Sequence, residues 1–336
     1  MPKVQVIGML EVRNIATPPD RTYSKSHYYS DYIELIALLS SDDLVSEQDI
    51  FDRFYDSGVI NEDDNTIGSD AWIGSENTSE YIQRWNDRIL QWFALLGSRV
   101  SSYGNNYPFI VTANSIQLKE ELSDQHKIYL GLLLASSNRY HNKQPLLTTI
   151  FEEISKLAMS AYLGPTSSVH CFGVSGLQNN RYTGSLQNKM TKLASDIDCE
   201  LTTRQHLFRD GDNGDGGVDI VAWLPFPNDV CLSRTQIFLG QSATGKNWNT
   251  KQGSVARIKN YINISDTSLN SLFVPYDMRD IERRYDEEGE ITASIIFDRY
   301  RIMSLITDES LVWQSERGAE FLRVIEEAIC FEEDLV

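Results

Sequence analysis

A glycine-rich turn followed by two apolar runs, each marked by one polar residue, constrains this chain more than any other segment. It occupies positions 210–248 and reads DGDNGDGGVDIVAWLPFPNDVCLSRTQIFLGQSATGKNW. The runs at 218–223 and 235–240 are short, rich in β-branched and aromatic residues, and bounded by Gly, Pro, Asn and Asp, which predicts two buried strands joined through a turn at 225–229. A buried strand carries a carboxylate only where something compensates its charge. Asp219 nevertheless interrupts the first run, Gln241 closes the second, and Lys246 follows on a glycine turn. A carboxylate, a second oxygen ligand and an ammonium on adjacent strands are the parts of a metal-assisted phosphodiester cleavage site.

Two other chemistries compete for the same residues. A calcium loop needs oxygen ligands at positions 1, 3 and 5, glycine at 6 and glutamate at 12. Counted from Asp210, position 5 is Gly214, position 6 is Asp215 and position 12 is Val221, so the register fails. Gly216 and Gly217 are better read as places where the backbone approaches a neighbour closely, with Asp215 as a turn former or a second acidic ligand. A P-loop is the other competitor, because Gly240 to Lys246 completes GxxxxGK after a strand. There Asn247 replaces the hydroxyl residue that binds Mg2+, and Asp298 is the sole Walker-B-like carboxylate. A P-loop-type nucleotide-binding protein using GQSATGKN is the alternative reading, and it leaves GDGGVDIVAW without a role.

Taken as a pair, the strands resemble the PD-(D/E)XK nuclease superfamily, in its Mrr-like restriction and anti-phage defence branch, over about residues 166–300. Gly217-Val218-Asp219 is similar to the GxD of that pattern, and Gln241 to the glutamine form of its second strand. The resemblance implies a restriction-endonuclease-like fold and a Mg2+- or Mn2+-dependent deoxyribonuclease. Asp219, the Gln241 side-chain oxygen and the Ser242 main-chain carbonyl would hold the metal, and Lys246 would act as the catalytic lysine. The chain departs from the pattern two residues after Gln241, where Ala243 replaces the lysine. Lys246 would have to reach back from its turn, with Lys251 as the second choice. Glu152, Glu153 or Glu200 could supply the further acidic residue that some members use. A non-catalytic member of the fold, binding DNA or a partner protein, is a further alternative.

Charge distribution bears on the substrate. The net charge is −18, which by itself argues against a polyanionic partner. It is unevenly spread: residues 166–265 hold 10 Lys and Arg against 8 Asp and Glu, while residues 1–165 hold 13 against 22. Lys251, Arg257 and Lys259 cluster just after the second strand and are candidate DNA contacts. The five histidines show no useful local spacing, and His206 is the nearest to the site in sequence. The four cysteines are scattered without metal-binding spacing, as expected of reduced thiols in a cytoplasmic protein. No segment has the length of a membrane span or the pattern of a signal peptide. DNA, a second copy of the chain or a defence-system protein are the expected partners.

The rest of the chain predicts organisation. Apolar spacing places helices over 29–40, 49–55, 79–100, 124–136 and 146–163, with Ser46 capping the second and a hairpin over 107–119. That order is compatible with a mainly helical, winged-helix-like module over 1–165. Residues 61–78 read as a loop. Beyond 166 the expected order is a strand at 169–174, a helix at 186–196 capped by Thr183 or Ser185, and a strand-like stretch at 200–206. The two marked strands follow, then a helix at 254–262, strands at 272–275 and 291–297, and a C-terminal helix at 319–330. This α/β order implies a mixed central sheet flanked by helices over 166–336.

Overall fold

The computed structural model describes residues 9–20, 25–42, 44–60, 78–173, 177, 179–209, 211–264, 268–286, 288–292, 294–331 and 335. The expected loop at 61–77 and Asp210 lie outside the described residues. The fold is mixed α/β with two sheets, and the chain divides into two compact units.

The first unit comprises Met1–Gln144, Tyr276–Asp286 and Glu320–Val336. Its elements begin with α1 (Ser26–Leu39), β1 (Val45–Ser46), α2 (Glu47–Asp56) and α3 (Thr78–Tyr103). β2 (Phe109–Val111), β3 (Ser115–Leu118) and α4 (Asp124–Ser136) follow. Ser46 caps α2 as expected, with its hydroxyl accepting the Asp49 amide and the Asp49 carboxylate returning to the Ser46 amide. β2 and β3 form the expected hairpin, and β1 adds antiparallel to β3. Trp85, Ile89, Trp92, Phe93 and Leu96 of α3 are all buried, so this stripe is core.

Inside this unit lies a buried ionic cluster. The fully buried Arg99 guanidinium meets Asp31 and Glu34 at 2.8 Å each and Asp277 at 3.5 Å. Tyr107 and Tyr129 hydroxyls donate to Glu34 at 2.6 and 2.9 Å, and Arg283 pairs with Asp277 at 3.0 Å. Arg99 stays firmly charged because the surrounding acids outweigh the cost of burial, which acts the other way. Asp277 and Arg283 come from the 276–286 return segment, far away in sequence.

The second unit comprises Pro145–Pro275 and Glu287–Ala319. Its elements begin with α5 (Gln144–Leu163), β4 (Ser168–Cys171), α6 (Leu186–Asp196) and β5 (Ile220–Leu224). β6 (Gln236–Ser242), α7 (Trp248–Lys251), β7 (Leu269–Phe273), β8 (Ile295–Phe297), α8 (Arg299–Leu305) and α9 (Ser310–Trp313) follow. The final helix, α10 (Gly318–Ile329), carries the chain back to the first unit. The sheet order is β4-β5-β6-β7-β8, antiparallel through β6 and parallel from β6 to β8, so it is mixed as expected. Met190, Leu193 and Ile197 of α6 and its cap pack with Val221, Trp223 and Leu239 of the sheet and with Ile258 and Ile262 beyond it.

Several expectations are corrected. The boundary expected at 165/166 is drawn differently by the packing: α5 groups with the second unit from Pro145 onward, and 276–286 and 320–336 group with the first. The 200–206 stretch is no strand. It contributes one antiparallel bridge, Leu201 with Ile262, and then a 3-10 turn at Gln205–Leu207. The helix expected at 254–262 is a 3-10 segment, Ser254–Asn260. Of the two candidate caps for α6, Ser185 is used, accepting the Asn188 amide at 3.3 Å.

Candidate functional site

Hydrogen bonding places Asp219 at the mouth of the sheet. Its amide donates to the Gly240 carbonyl at 2.9 Å and its carbonyl accepts the Phe172 amide at 2.7 Å, so the residue continues the pairing of β5 with both neighbours. The preceding glycine loop turns sharply: Gly217 has φ +87, and a β-carbon there would lie 2.5 Å from the Ser254 carbonyl and 2.8 Å from the Arg257 guanidinium. The close approach expected of this glycine therefore sets the 3-10 segment beside Asp219. Asp215 closes the loop by accepting the Gly217 amide at 2.6 Å. Lys189 of α6, largely buried, donates to the carbonyls of Asn213 and Gly214 at 3.0 and 3.2 Å and anchors the same loop.

One Asp219 oxygen, Oδ2, accepts from the Ser242 amide at 2.8 Å and from the Gln241 side-chain amide. Gln241 is itself held from behind, since its Oε1 accepts the Ser254 hydroxyl at 2.8 Å. Of the expected metal set, then, the structure gathers Asp219, Gln241 and Ser242. Gln241 turns its nitrogen to Asp219, and Ser242 serves the carboxylate through its amide. Half a turn of the Gln241 amide plane would exchange its oxygen for its nitrogen at Asp219.

The other Asp219 oxygen faces Gly173, just past β4. A β-carbon on Gly173 would sit 3.3 Å from Asp219 Oδ1, 3.3 Å from Asp215 Oδ2 and 2.9 Å from Asp215 Cβ. The two carboxylates thus converge on a point that only glycine leaves open. Glu152 of α5 approaches the same pair. Burial, then the charges of Asp219, Asp215 and Glu153, push its carboxyl up to about 9, and its Oε2 is buried without a hydrogen-bond partner. Thr148, one turn earlier on α5, lies 3.4 Å from Thr244 just beyond β6, which aims this face of the helix at the strand end. Burial likewise pushes the Asp219 carboxyl up to about 7, with Asp215 adding to the rise and the Ser242 amide, Lys251 and Gln241 opposing it.

These placements decide between the sequence alternatives for the acidic residue. Glu152 joins the pair, Glu153 turns elsewhere, and Glu200 is exposed and does not act on Asp219. Among the lysines, Lys246 sits exposed in the turn before α7, whereas Lys251 at the end of α7 is the one whose charge draws the Asp219 carboxyl down. Ala243 is buried at the position of the missing motif lysine, and its amide donates to Phe273. Arg257 and Lys259 are exposed on the 3-10 segment, Arg257 against the glycine loop. His206 is not among the groups acting on the cluster. Sequence reasoning missed Lys189, Ser254 and Gly173. Only the close apposition of three chain segments marks them.

The donors are all oxygen, a set that suits a hard divalent cation such as Mg2+ or Mn2+. Among the described residues no three His, Cys, Asp or Glu side chains are close enough to hold a metal as they stand. The carboxyl groups converge, with an orphaned Glu152 oxygen, and hold protons that a divalent cation would displace. The P-loop geometry is not built around Lys246. Gly240 is an interior residue of β6, paired with Ile220 and Ser271, and the helix that follows is only four residues long. No helix is long and apolar enough to cross a membrane among the described residues. No protein-family model, no curated protein and no solved structure matches this chain.

Proposed function

We propose that the second unit is a metal-dependent nuclease, hydrolysing phosphodiester bonds of DNA on a restriction-endonuclease-like sheet. The observation that carries this reading is the convergence of Glu152, Asp215 and Asp219, with the Glu152 oxygen left orphaned. Asp219 and Glu152 would hold Mg2+ or Mn2+, and Asp215 would complete the acidic side. Gln241, braced by Ser254, and the Ser242 amide keep the Asp219 carboxylate aimed. When bound, the metal supplies polarisation of the phosphoryl oxygen and acidification of water.

Lys251 would offset charge growing on the phosphate, a role in which Lys246 is the second choice. Arg257 and Lys259, with Lys251, form the surface that would follow the sugar–phosphate backbone. The raised carboxyls favour metal entry with proton loss, so activity should climb from pH 6 to pH 9 as Asp219 and Glu152 ionise. A role in anti-phage defence and pairing of two copies to cut two strands rest on the family resemblance, and a cytoplasmic location rests on the scattered free cysteines. The test is plasmid nicking in millimolar Mg2+ by wild type and Asp219→Ala. Nicking that survives the substitution, or continues in excess EDTA, removes the site from the reaction.

A further inference from the structure

The second unit also holds a cavity of about 380 Å3. Its floor includes Glu153 and Lys156 of α5 together with His170 and Cys171 of β4. Glu153 is the chain neighbour of Glu152 but turns away from the acidic cluster, and none of Glu152, Gly173, Asp215 or Asp219 lines the cavity. Its size falls in the roughly 300–1,000 Å3 range of small-ligand sites.

The lining is specific in kind. Glu153 is only 6% exposed and burial raises its carboxyl; one oxygen accepts the Arg317 amide at 3.4 Å and the Ser315 hydroxyl acts on the group, but Oε1 has no partner at hydrogen-bond geometry. A buried carboxylate oxygen left unsatisfied costs free energy until a donor arrives. Asn180 and Gln314 add side-chain amides, and Leu157 and Leu311 give apolar walls. His170 is held by ring contacts with Trp223 at 5.3 Å and Tyr182 at 6.0 Å. Arg181, also on the rim, is committed to Asp196 through two bonds of 2.7 and 2.5 Å. Lys156 makes no ion pair with a described residue and is the cation free to meet a phosphate.

An apolar-walled slot with side-chain amides, a flat ring, an acceptor waiting for a donor and a cation at the edge matches a nucleotide. We propose that this cavity is a base pocket that receives an unpaired nucleobase. Glu153 accepts hydrogen from an exocyclic amine, and Lys156 meets the nucleotide's phosphate. The inference rests on the nuclease reading for its link to cleavage, but its binding chemistry is independent of it. Cytosine, adenine and guanine carry the amine that Glu153 requires, and thymine does not. Substrate in which the base is already unpaired avoids the cost of flipping it from a duplex, so single-stranded DNA is favoured.

The experiment is titration of the full chain in EDTA with dCMP, dAMP, dGMP, TMP and inorganic phosphate, read by tryptophan fluorescence and calorimetry. At least one amino-bearing nucleotide should bind tenfold or more tightly than TMP, and inorganic phosphate should bind weakest. Glu153→Gln should abolish or reverse that discrimination, while Lys156→Ala should weaken all nucleotides by a similar factor. Gln314→Ala, at an exposed position, gives a second variant with little risk to folding and should weaken binding severalfold. Equal binding of TMP and the amino-bearing nucleotides overturns the proposal. So does Glu153→Gln protein of wild-type melting temperature that still discriminates. Nicking by a protein without base discrimination would overturn the pocket alone. Base discrimination in a protein that never nicks would sink the nuclease reading alone.

Discussion

Two clusters of buried and half-buried acidic side chains in this molecule differ in whether a cation lies among them. In the first unit Arg99 is enclosed by Asp31, Glu34 and Asp277, with two tyrosine hydroxyls and Arg283 taking up further acceptor capacity. In the second unit Glu152, Asp215 and Asp219 gather with no cation among them in the described residues, while Lys251 acts on Asp219 from an exposed position and Lys189 acts on Asp215 from the far side of the glycine loop. Compensated charge fixes a core, and breaking it leaves an isolated buried ion. Uncompensated charge weakens the fold that holds it, and its presence is the mark of a group that binds something positive.

The sharpest way to break this contrast is to remove one member from each cluster. Arg99→Ala should destabilise the first unit by about 3–5 kcal/mol, measured as a shift in the denaturant midpoint. Asp219→Ala should leave the midpoint of metal-free protein unchanged or higher, while lowering nicking by roughly a thousandfold. If both substitutions destabilise alike, the second cluster is merely structural.

The next effect is a pH dependence. Asp219 and Glu152 hold their protons more tightly folded than unfolded, at about 7 and about 9 against ordinary carboxyl values of 3.8 and 4.5. Between those limits the folded state binds more protons than the unfolded state, so their contribution to stability falls as pH rises. Metal-free wild type should therefore lose melting temperature from pH 5 to pH 9 relative to Glu152→Gln, and the two curves should meet below about pH 4. Parallel curves would show that Glu152 is not held under repulsion.

A smaller effect concerns geometry. Gly173→Ala places a methyl between two carboxylates that now share the space, so it should cut activity about tenfold to a hundredfold. The melting temperature should move by no more than a few degrees, since the glycine has an ordinary backbone conformation. The smallest separates the lysines. Lys251→Ala should reduce nicking about tenfold and Lys246→Ala less. The reverse order would return the catalytic lysine to the glycine turn.

The sheet and most helices were legible in the sequence because their signals are local. The serine cap at Ser46 and the buried stripe of α3 follow directly from spacing, whereas spacing offers both Thr183 and Ser185 for α6 and the fold uses Ser185. The 254–262 segment kept its buried Val255, Ile258 and Ile262, but that spacing serves a 3-10 turn as well as an α-helix. The unit boundary was not legible, since Asp277 and Arg283 join Arg99 across more than 170 residues and leave no periodic trace. Within the site, Asp219 and Gln241 stood out as polar residues in apolar runs. Asp215 was hidden among turn formers, and Glu152 was one of two adjacent glutamates on a helix. Only folding shows which of them faces the cluster.

The most direct measurement is calorimetric titration of Mn2+ into wild-type and Asp219→Ala protein at pH 7.5, repeated in two buffers of different ionisation enthalpy. Wild type should bind Mn2+ at the acidic cluster and release protons as it does so, and Asp219→Ala should lose both the binding and the release. Binding that is absent from wild type, or that is undiminished in Asp219→Ala, would contradict the assignment of Glu152, Asp215 and Asp219 as a metal centre.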